Sequence, residues 1–207
     1  MAIELVFVLD RSGSMSGNES DVVGGVNTLL DKQREMGVNA TVSMFKFDYE
    51  YEEICRHIPL SEARLKGTDY VPRGSTALLD AVGRTIDKMG NDYRKSMTPP
   101  EGVMFVIFTD GQENSSREYH SETVRNLIER QEKEWNWEFV YMGADVNDFA
   151  GEVKNLGLRK VDSRGFSKAR GFAKTREAFA SNYADLSAQT VAYAVANNSV
   201  GDSGSES

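Results

Sequence analysis

The sequence predicts an α/β layered domain: a mostly parallel central sheet with one antiparallel edge strand and helices on both faces. Three observations carry this. Two nearly continuous apolar runs, Ile3 to Leu9 and Val103 to Thr109, each stop at an aspartate, Asp10 and Asp110. Such runs suit strands covered by helices on both sides, because neither face has to meet water. Between the strand-like segments, apolar residues recur at helical spacing, so strands and helices alternate along the chain. Finally, Val38 to Phe47 and Tyr49 to Ile58 both read as strands, joined through the short Asp48-Tyr49-Glu50 connection. A connection that short predicts a hairpin, which makes the third strand the antiparallel edge.

The elements follow in order. After the first strand comes a polar, Gly/Ser-rich loop from Arg11 to Ser20. Val22, Val26, Leu29, Leu30 and Met36 then mark a helix that Gly37 stops. A loop from Pro59 to Ser75 leads to a helix opening at Thr76, with Leu78, Leu79, Val82, Ile86 and Met89 on one face. Asn91 to Gly102, carrying Pro99-Pro100, reads as a loop. Beyond the Val103–Thr109 strand, a second polar loop runs to His120. Val124, Leu127, Ile128, Gln131 and Trp135 mark the next helix, and Trp137 to Met142 the next strand. Val146, Phe149, Val153 and Leu156 form a short helix, and Leu158 to Val161 a last short strand.

Composition changes towards the end. Phe172, Phe179, Leu186 and Tyr193 are spaced by seven in an Ala-rich stretch, which predicts an amphipathic helix closing one face of the sheet. The expected organisation is a domain over 1–165, a packed helical extension over 166–197 and a disordered tail over 198–207.

Charge excludes some partners. The 207 residues carry 24 basic and 32 acidic side chains, a net charge of −8. A chain this acidic is poorly suited to a phosphate backbone, where Lys and Arg must displace counterions, or to an anionic membrane surface. Cys55 is the single cysteine, so no internal disulfide can form, and it is expected as a half-buried thiol in a strand. Met1-Ala2-Ile3-Glu4 lacks the basic and apolar regions of a signal peptide, and no apolar run approaches transmembrane length. The expected compartment is the cytoplasm.

Three short pieces carry the chemistry. Asp10-Arg11-Ser12-Gly13-Ser14 is an Asp-x-Ser-x-Ser pattern just past the first strand. Gly74-Ser75-Thr76-Ala77-Leu78 puts a threonine hydroxyl at a helix start, and Phe108-Thr109-Asp110-Gly111 closes the central apolar strand. Taken singly, each has a plain reading: polar loop residues cap helices, and Thr76 suits an N-cap. Taken together, they fall where ligands sit in open α/β sheets, beyond the carboxyl ends of the strands. Hydroxyls and carboxylates are the oxygen ligands of hard cations, and Asp10 and Asp110 supply two negative charges against a dication. Asp48 and Asp80, near these loops, are read as solvated or as supporting the site from one layer back. His57 and His120 are too few and too far apart for a zinc pattern.

In these residues the chain resembles a von Willebrand factor A domain with a complete metal-ion-dependent adhesion site. That family's signature is Asp-x-Ser-x-Ser, a distant Thr and a distant Asp after a hydrophobic strand, matched by Asp10, Ser12, Ser14, Thr76 and Asp110. The resemblance spans roughly Ile3 to Val161 and is close to the small stand-alone A-domain proteins of bacteria and their phages. It implies a Rossmann-like sandwich holding one Mg²⁺, with Mn²⁺ or Ca²⁺ as alternatives. It implies that Ser12 and Ser14 touch the metal, that Thr76 does so directly or through water, and that Asp10 and Asp110 act mainly through water and hydrogen bonds. A Glu or Asp of a partner protein would complete the coordination. The rim would come from Met15 to Glu19, Asp48-Tyr49, Arg73 to Ser75 and Gln112 to Tyr119.

The rival class is a metal-dependent hydrolase or phosphatase. Asp10 follows a strand, as the nucleophile does in haloacid-dehalogenase-like enzymes, but those need a second carboxylate where this chain has Ser12. There is no Gly-x-Ser-x-Gly elbow and no Walker A sequence. The expectation is a binding module and not an enzyme. A substrate-presenting subunit of an AAA+ ATPase assembly is compatible with it and differs only in the partner.

Overall fold

The computed structural model describes residues 3–109 and 113–143. β1 (Ile3–Asp10) is followed by a 3₁₀ turn (Gly13–Met15), α1 (Glu19–Glu35), β2 (Ala40–Phe47) and β3 (Tyr51–Pro59). A second 3₁₀ turn (Gly67–Asp69), α2 (Leu78–Lys95), β4 (Gly102–Thr109), α3 (Ser121–Glu134) and β5 (Trp137–Gly143) complete the described elements. The sheet runs β3-β2-β1-β4-β5. β1 lies parallel to β2 and β4, β4 is parallel to β5, and β3 is antiparallel to β2 at the edge. The expected mixed sheet with an antiparallel third strand is therefore present.

The apolar runs explain the layers. Every residue of β1 and β4 is buried. Alternation sends Leu5, Phe7 and Leu9 to one face, where Val22, Val26, Leu29 and Leu30 of α1 meet them. Val6 and Val8 point to the other face, against Leu78, Ala81, Val82 and Ile86 of α2 and Val124 and Ile128 of α3. Each fully buried Leu or Phe contributes about 1.5–3 kcal/mol relative to exposure, so these two faces are a main source of the domain's stability.

Some boundaries differ from expectation. α2 opens at Leu78 rather than at Thr76, because the main chain of Thr76 is engaged elsewhere: Asn114 and Ser115 N–H groups donate to its carbonyl. The same helix runs on to Lys95, through residues expected in a loop. Asn91 to Lys95 has no apolar periodicity, but Asp92 binds Arg56 on β3 and the Tyr93 ring meets Trp137 edge-on. Cys55 sits on β3, partly buried, and burial pushes its thiol up to about 11. No described helix is long and apolar enough to cross a membrane. Asp110, the helix expected around Val146 to Leu156, the strand Leu158–Val161, and the C-terminal extension and tail lie outside the described residues.

Candidate metal centre

Asp10 ends β1 and is completely buried. A buried carboxylate has to be satisfied by hydrogen bonds. Its Oδ1 accepts the Ser12 N–H at 2.7 Å, and its Oδ2 accepts the hydroxyl of Thr109, the last residue of β4. The carbonyl of Asp10 accepts the hydroxyl of Tyr70, itself buried. One side chain thus ties the ends of two neighbouring parallel strands and folds the Asp-x-Ser-x-Ser loop back over them.

Ser12 is buried and Ser14 exposed, and their hydroxyl oxygens lie 3.0 Å apart. The 3₁₀ turn at Gly13–Met15 produces this pairing. Gly13 N–H donates to the carbonyl of Gly74 at 3.0 Å, and a Cβ on Gly13 would stand 3.3 Å from that oxygen. Gly74 has φ +70, and a Cβ there would lie 2.6 Å from the Tyr49 ring. The two glycines let the serine loop and the loop before Thr76 run side by side.

Thr76 is buried, and its N–H donates to Asn114 Oδ1 at 3.0 Å. The segment after β4 also covers the start of α2. Leu79 N–H donates to Glu113 Oε2 at 2.9 Å and Asp80 N–H to Ser116 Oγ at 3.1 Å. The carboxylate of Asp80 returns the contact by accepting the N–H groups of Arg117, Glu118 and Tyr119. Burial works against the charge on Asp80, but these three donors outweigh it and hold its carboxyl below the ordinary range.

Of the residues the sequence pointed to, Asp10, Ser12 and Ser14 converge within one turn, and Gly13 joins them to the Thr76 loop. Among the described residues no hydrogen bond joins the Thr76 hydroxyl to either serine. Thr109, immediately before Asp110, is bound to Asp10.

Asp48 and Asp80 are not solvated. Both are buried, Asp48 completely. Asp48 is the centre of an ionic cluster that anchors the serine loop. Arg11, inside the Asp-x-Ser-x-Ser pattern, is 4% exposed, with Nε 3.2 Å from Asp48 Oδ2, an ion pair without hydrogen-bond alignment. Its Nη2 donates to Glu52 Oε1 at 2.5 Å, and that hydrogen bond is the main cause holding the Glu52 carboxyl below its ordinary range. Arg73 Nε donates to the same Asp48 oxygen at 2.8 Å, and Nη2 reaches Glu50 and Glu52. Arg73 also lies over the Tyr49 ring, 5.8 Å from its centre. Sequence reasoning missed Arg11 and Tyr70, and had Arg73 and Asn114 only as rim residues. Nothing local marks the ionic cluster, because Asp48 and Glu50 lie in the turn between β2 and β3, where carboxylates are ordinary. Tyr70 carries no local signal either.

The donor set can be tested against a cation. Two octahedral ligands at 2.0–2.1 Å from Mg²⁺ stand about 2.8–3.0 Å apart when adjacent, and the Ser12 and Ser14 hydroxyls are 3.0 Å apart. Among the described residues no three His, Cys, Asp or Glu side chains are grouped to hold a metal. Hydroxyls backed by a buried carboxylate fit a hard dication and not zinc. His57 and His120 lie elsewhere, on β3 and at the start of α3.

Sheet order, helix placement and the loops at the carboxyl ends of β1 and β4 define an α/β domain with a von Willebrand factor A-like fold. Solved structures with this fold include the minor pilin PilB of Streptococcus sanguinis, with a TM-score of 0.65 and 14% identity over 92% of this chain and 61% of the pilin. A von Willebrand factor type A protein from Catenulispora acidiphila has a TM-score of 0.57 and 14% identity, over 88% of this chain and 42% of that one. The pilus adhesin SpaC of Lactobacillus rhamnosus GG, in an open conformation, has a TM-score of 0.58 and 12% identity over 90% and 30%. The chain thus spans about three-fifths or less of these proteins, and at such identities the likeness is one of fold. No protein-family model and no curated protein matches the sequence.

Proposed function

We propose that this chain is a protein-binding module that holds one divalent cation through Asp10, Ser12, Ser14, Thr76 and Asp110 and offers it to a Glu or Asp of a partner protein. Mg²⁺ is the ion proposed, with Mn²⁺ and Ca²⁺ as alternatives. The observation that carries the proposal is the Ser12–Ser14 hydroxyl pair, 3.0 Å apart and backed by the buried Asp10 carboxylate. When bound, the ion supplies an electrophilic position that an incoming carboxylate can occupy.

The chain's own residues do the rest. Ser12 and Ser14 donate neutral oxygens, so little of the ion's charge is cancelled by direct contact. Asp10 spends its oxygens on Ser12 N–H and Thr109, which fixes the loop and leaves its charge one layer behind the hydroxyls. Arg11 and Arg73 anchor the same loop to the β2–β3 hairpin through Asp48. Tyr49 and Arg73, both exposed beside Gly74, form a rim that a partner would meet. Two structural neighbours are, by name, a minor pilin and a pilus adhesin, which is consistent with a role in binding other proteins.

The test is Mg²⁺-dependent capture of a partner by the immobilised chain, with EDTA and Asp10→Ala as controls. Capture lost in both controls supports the proposal, and a partner retained in both contradicts it. No turnover of phosphate or carboxylic esters is expected, and hydrolysis that disappears in Asp10→Asn would overturn the binding reading.

A further inference from the structure

We infer that Glu113 is a positioning residue for the metal centre: it caps α2 in place of Thr76 and so leaves the Thr76 hydroxyl to a cation. The inference rests on the proposal that Thr76 is a ligand. A helix begins with N–H groups that no turn of the helix itself can satisfy. Thr76 is the local residue suited to serve them. As N-cap, its hydroxyl would accept the N–H of the third helical residue, Leu79, and its carbonyl the N–H of Asp80. A hydroxyl used in that way is turned into the helix and away from any ion.

The loop after β4 takes over each of these roles. Leu79 N–H donates to Glu113 Oε2 at 2.9 Å, and Asp80 N–H to Ser116 Oγ at 3.1 Å. The Thr76 carbonyl accepts the N–H groups of Asn114 and Ser115 at 3.1 and 3.2 Å, and Thr76 N–H donates to Asn114 Oδ1 at 3.0 Å. The helix therefore starts one residue later, with Ala81 N–H on the Ala77 carbonyl at 3.0 Å. Ala77, the residue at the N-cap, has only a methyl group and makes no side-chain cap. Among the described residues the Thr76 hydroxyl has no hydrogen-bond partner.

Glu113 is built into this position. Its Oε1 accepts the N–H groups of Ser115 and Ser116 at 3.0 and 2.7 Å, and the Ser116 hydroxyl donates to Oε2 at 2.7 Å. The carboxylate is thus fixed towards the start of α2, where the helix dipole also favours a negative charge. The segment that carries it is strapped along the helix. Asp80 accepts three N–H groups from it, Arg84 pairs with Glu118, and the Tyr119 hydroxyl donates to Asp87 at 2.7 Å. Gly83 lets the Tyr119 ring lie against the helix, since a Cβ there would stand 2.3 Å from it. Glu113 follows Asp110 by three residues, so the loop that supplies one proposed ligand also releases another.

Urea unfolding in EDTA reads this exchange without metal, in the native chain, Thr76→Ala, Glu113→Ala and the double variant. Thr76→Ala should lower the midpoint little in the native background. It should lower it clearly more in Glu113→Ala, where the hydroxyl takes over Leu79 N–H. In Mg²⁺ titration, Glu113→Ala removes no ligand yet should bind about tenfold more weakly. Glu113→Gln keeps an oxygen for Leu79 N–H and should restore most of the affinity, whereas a loss due to charge alone would be equal in both variants. Arg84→Ala, which loosens the strap farther along, should bind Mg²⁺ as the native chain does. Should Glu113→Ala not fold, the Leu79 amide decides: its hydrogen-exchange protection should survive Thr76→Ala. Equal midpoint shifts in the two backgrounds, native affinity in Glu113→Ala, no recovery in Glu113→Gln, or Leu79 protection lost in Thr76→Ala would overturn the inference. A native chain that binds no Mg²⁺ would overturn the metal reading itself, and this inference with it.

Discussion

The hydroxyl of Thr109 donates to the buried carboxylate of Asp10, so the last residues of β4 and β1 are joined by a side-chain hydrogen bond at the edge where the serine loop begins. The other oxygen of the same carboxylate holds the Ser12 N–H. The position of the serine hydroxyls therefore depends on a strand-to-strand contact made well below them.

Thr109→Val removes that donor and keeps the side chain's shape. With one oxygen of a buried carboxylate deprived of this bond, a loss of about 1–2 kcal/mol is expected in urea unfolding. Mg²⁺ affinity should fall as well, because Asp10 is freer to rotate away from Ser12. Unchanged stability and affinity would mean that the Asp10–Thr109 bond does not position the loop.

Arg11 is buried against Asp48, and removing one partner of a buried ion pair leaves the other charge uncompensated. Arg11→Met should cost about 3 kcal/mol, at the lower end of the range for such losses because Arg73 still pairs with Asp48. Arg73→Ala, at an exposed position, should cost clearly less. Denaturant midpoints of the two variants check the order, and a reversed order would place the anchoring role on Arg73.

Gly74→Ala tests the join between the two loops. The left-handed backbone at φ +70 alone should cost about 1–2 kcal/mol. The clash with Tyr49 adds to this, but that side chain is exposed and can swing aside. Combining Gly74→Ala with Tyr49→Ala should therefore recover the steric part and not the backbone part. Thermal unfolding of the single and double variants separates them, and full recovery would show that backbone strain is absent.

His57 offers a pH test away from the site. Its ring meets Glu4 at 3.2 Å, where Thr41 and Ser43 also donate, and Asp92 at 3.2 Å, which Arg56 shares. The Glu4 hydrogen bond is the largest cause raising the His57 pKa above its ordinary 6.5, burial opposes it, and Asp92 adds to it. A raised folded-state pKa means that the stabilisation is fully present below about pH 6.5 and is lost as pH rises through the folded value. The stability advantage of the native chain over His57→Gln should thus shrink as pH rises above about 6.5. An advantage that grows with pH would reverse the sign and contradict the Glu4 pairing.

Much of the sheet was legible in the sequence because burial on both faces leaves a plain trace. β1 and β4 are unbroken apolar runs, and the Asp48-Tyr49-Glu50 connection is too short for anything but a hairpin. Asp10, Ser12 and Ser14 were legible as a spacing, and they do converge. Thr76 was read as a helix start because hydroxyls commonly cap helices. The long-range bonds from Asn114 and Ser115 override that local preference and delay the helix to Leu78. The burial of Asp48 was not legible, since nothing local distinguishes it from a solvated turn aspartate until Arg11 and Arg73 are brought to it from distant loops.

The most direct measurement is isothermal titration of Mg²⁺ into the chain after EDTA treatment. EDTA should leave the fold intact, since the two apolar faces hold it, and metal should add only a mass-action increment to stability. One ion should bind per chain, with affinity reduced at least about tenfold in Ser12→Ala and in Thr76→Ala and lost in Asp10→Ala. No heat of binding at millimolar Mg²⁺, or the same isotherm in Ser12→Ala as in the native chain, would contradict a metal-dependent site at these loops.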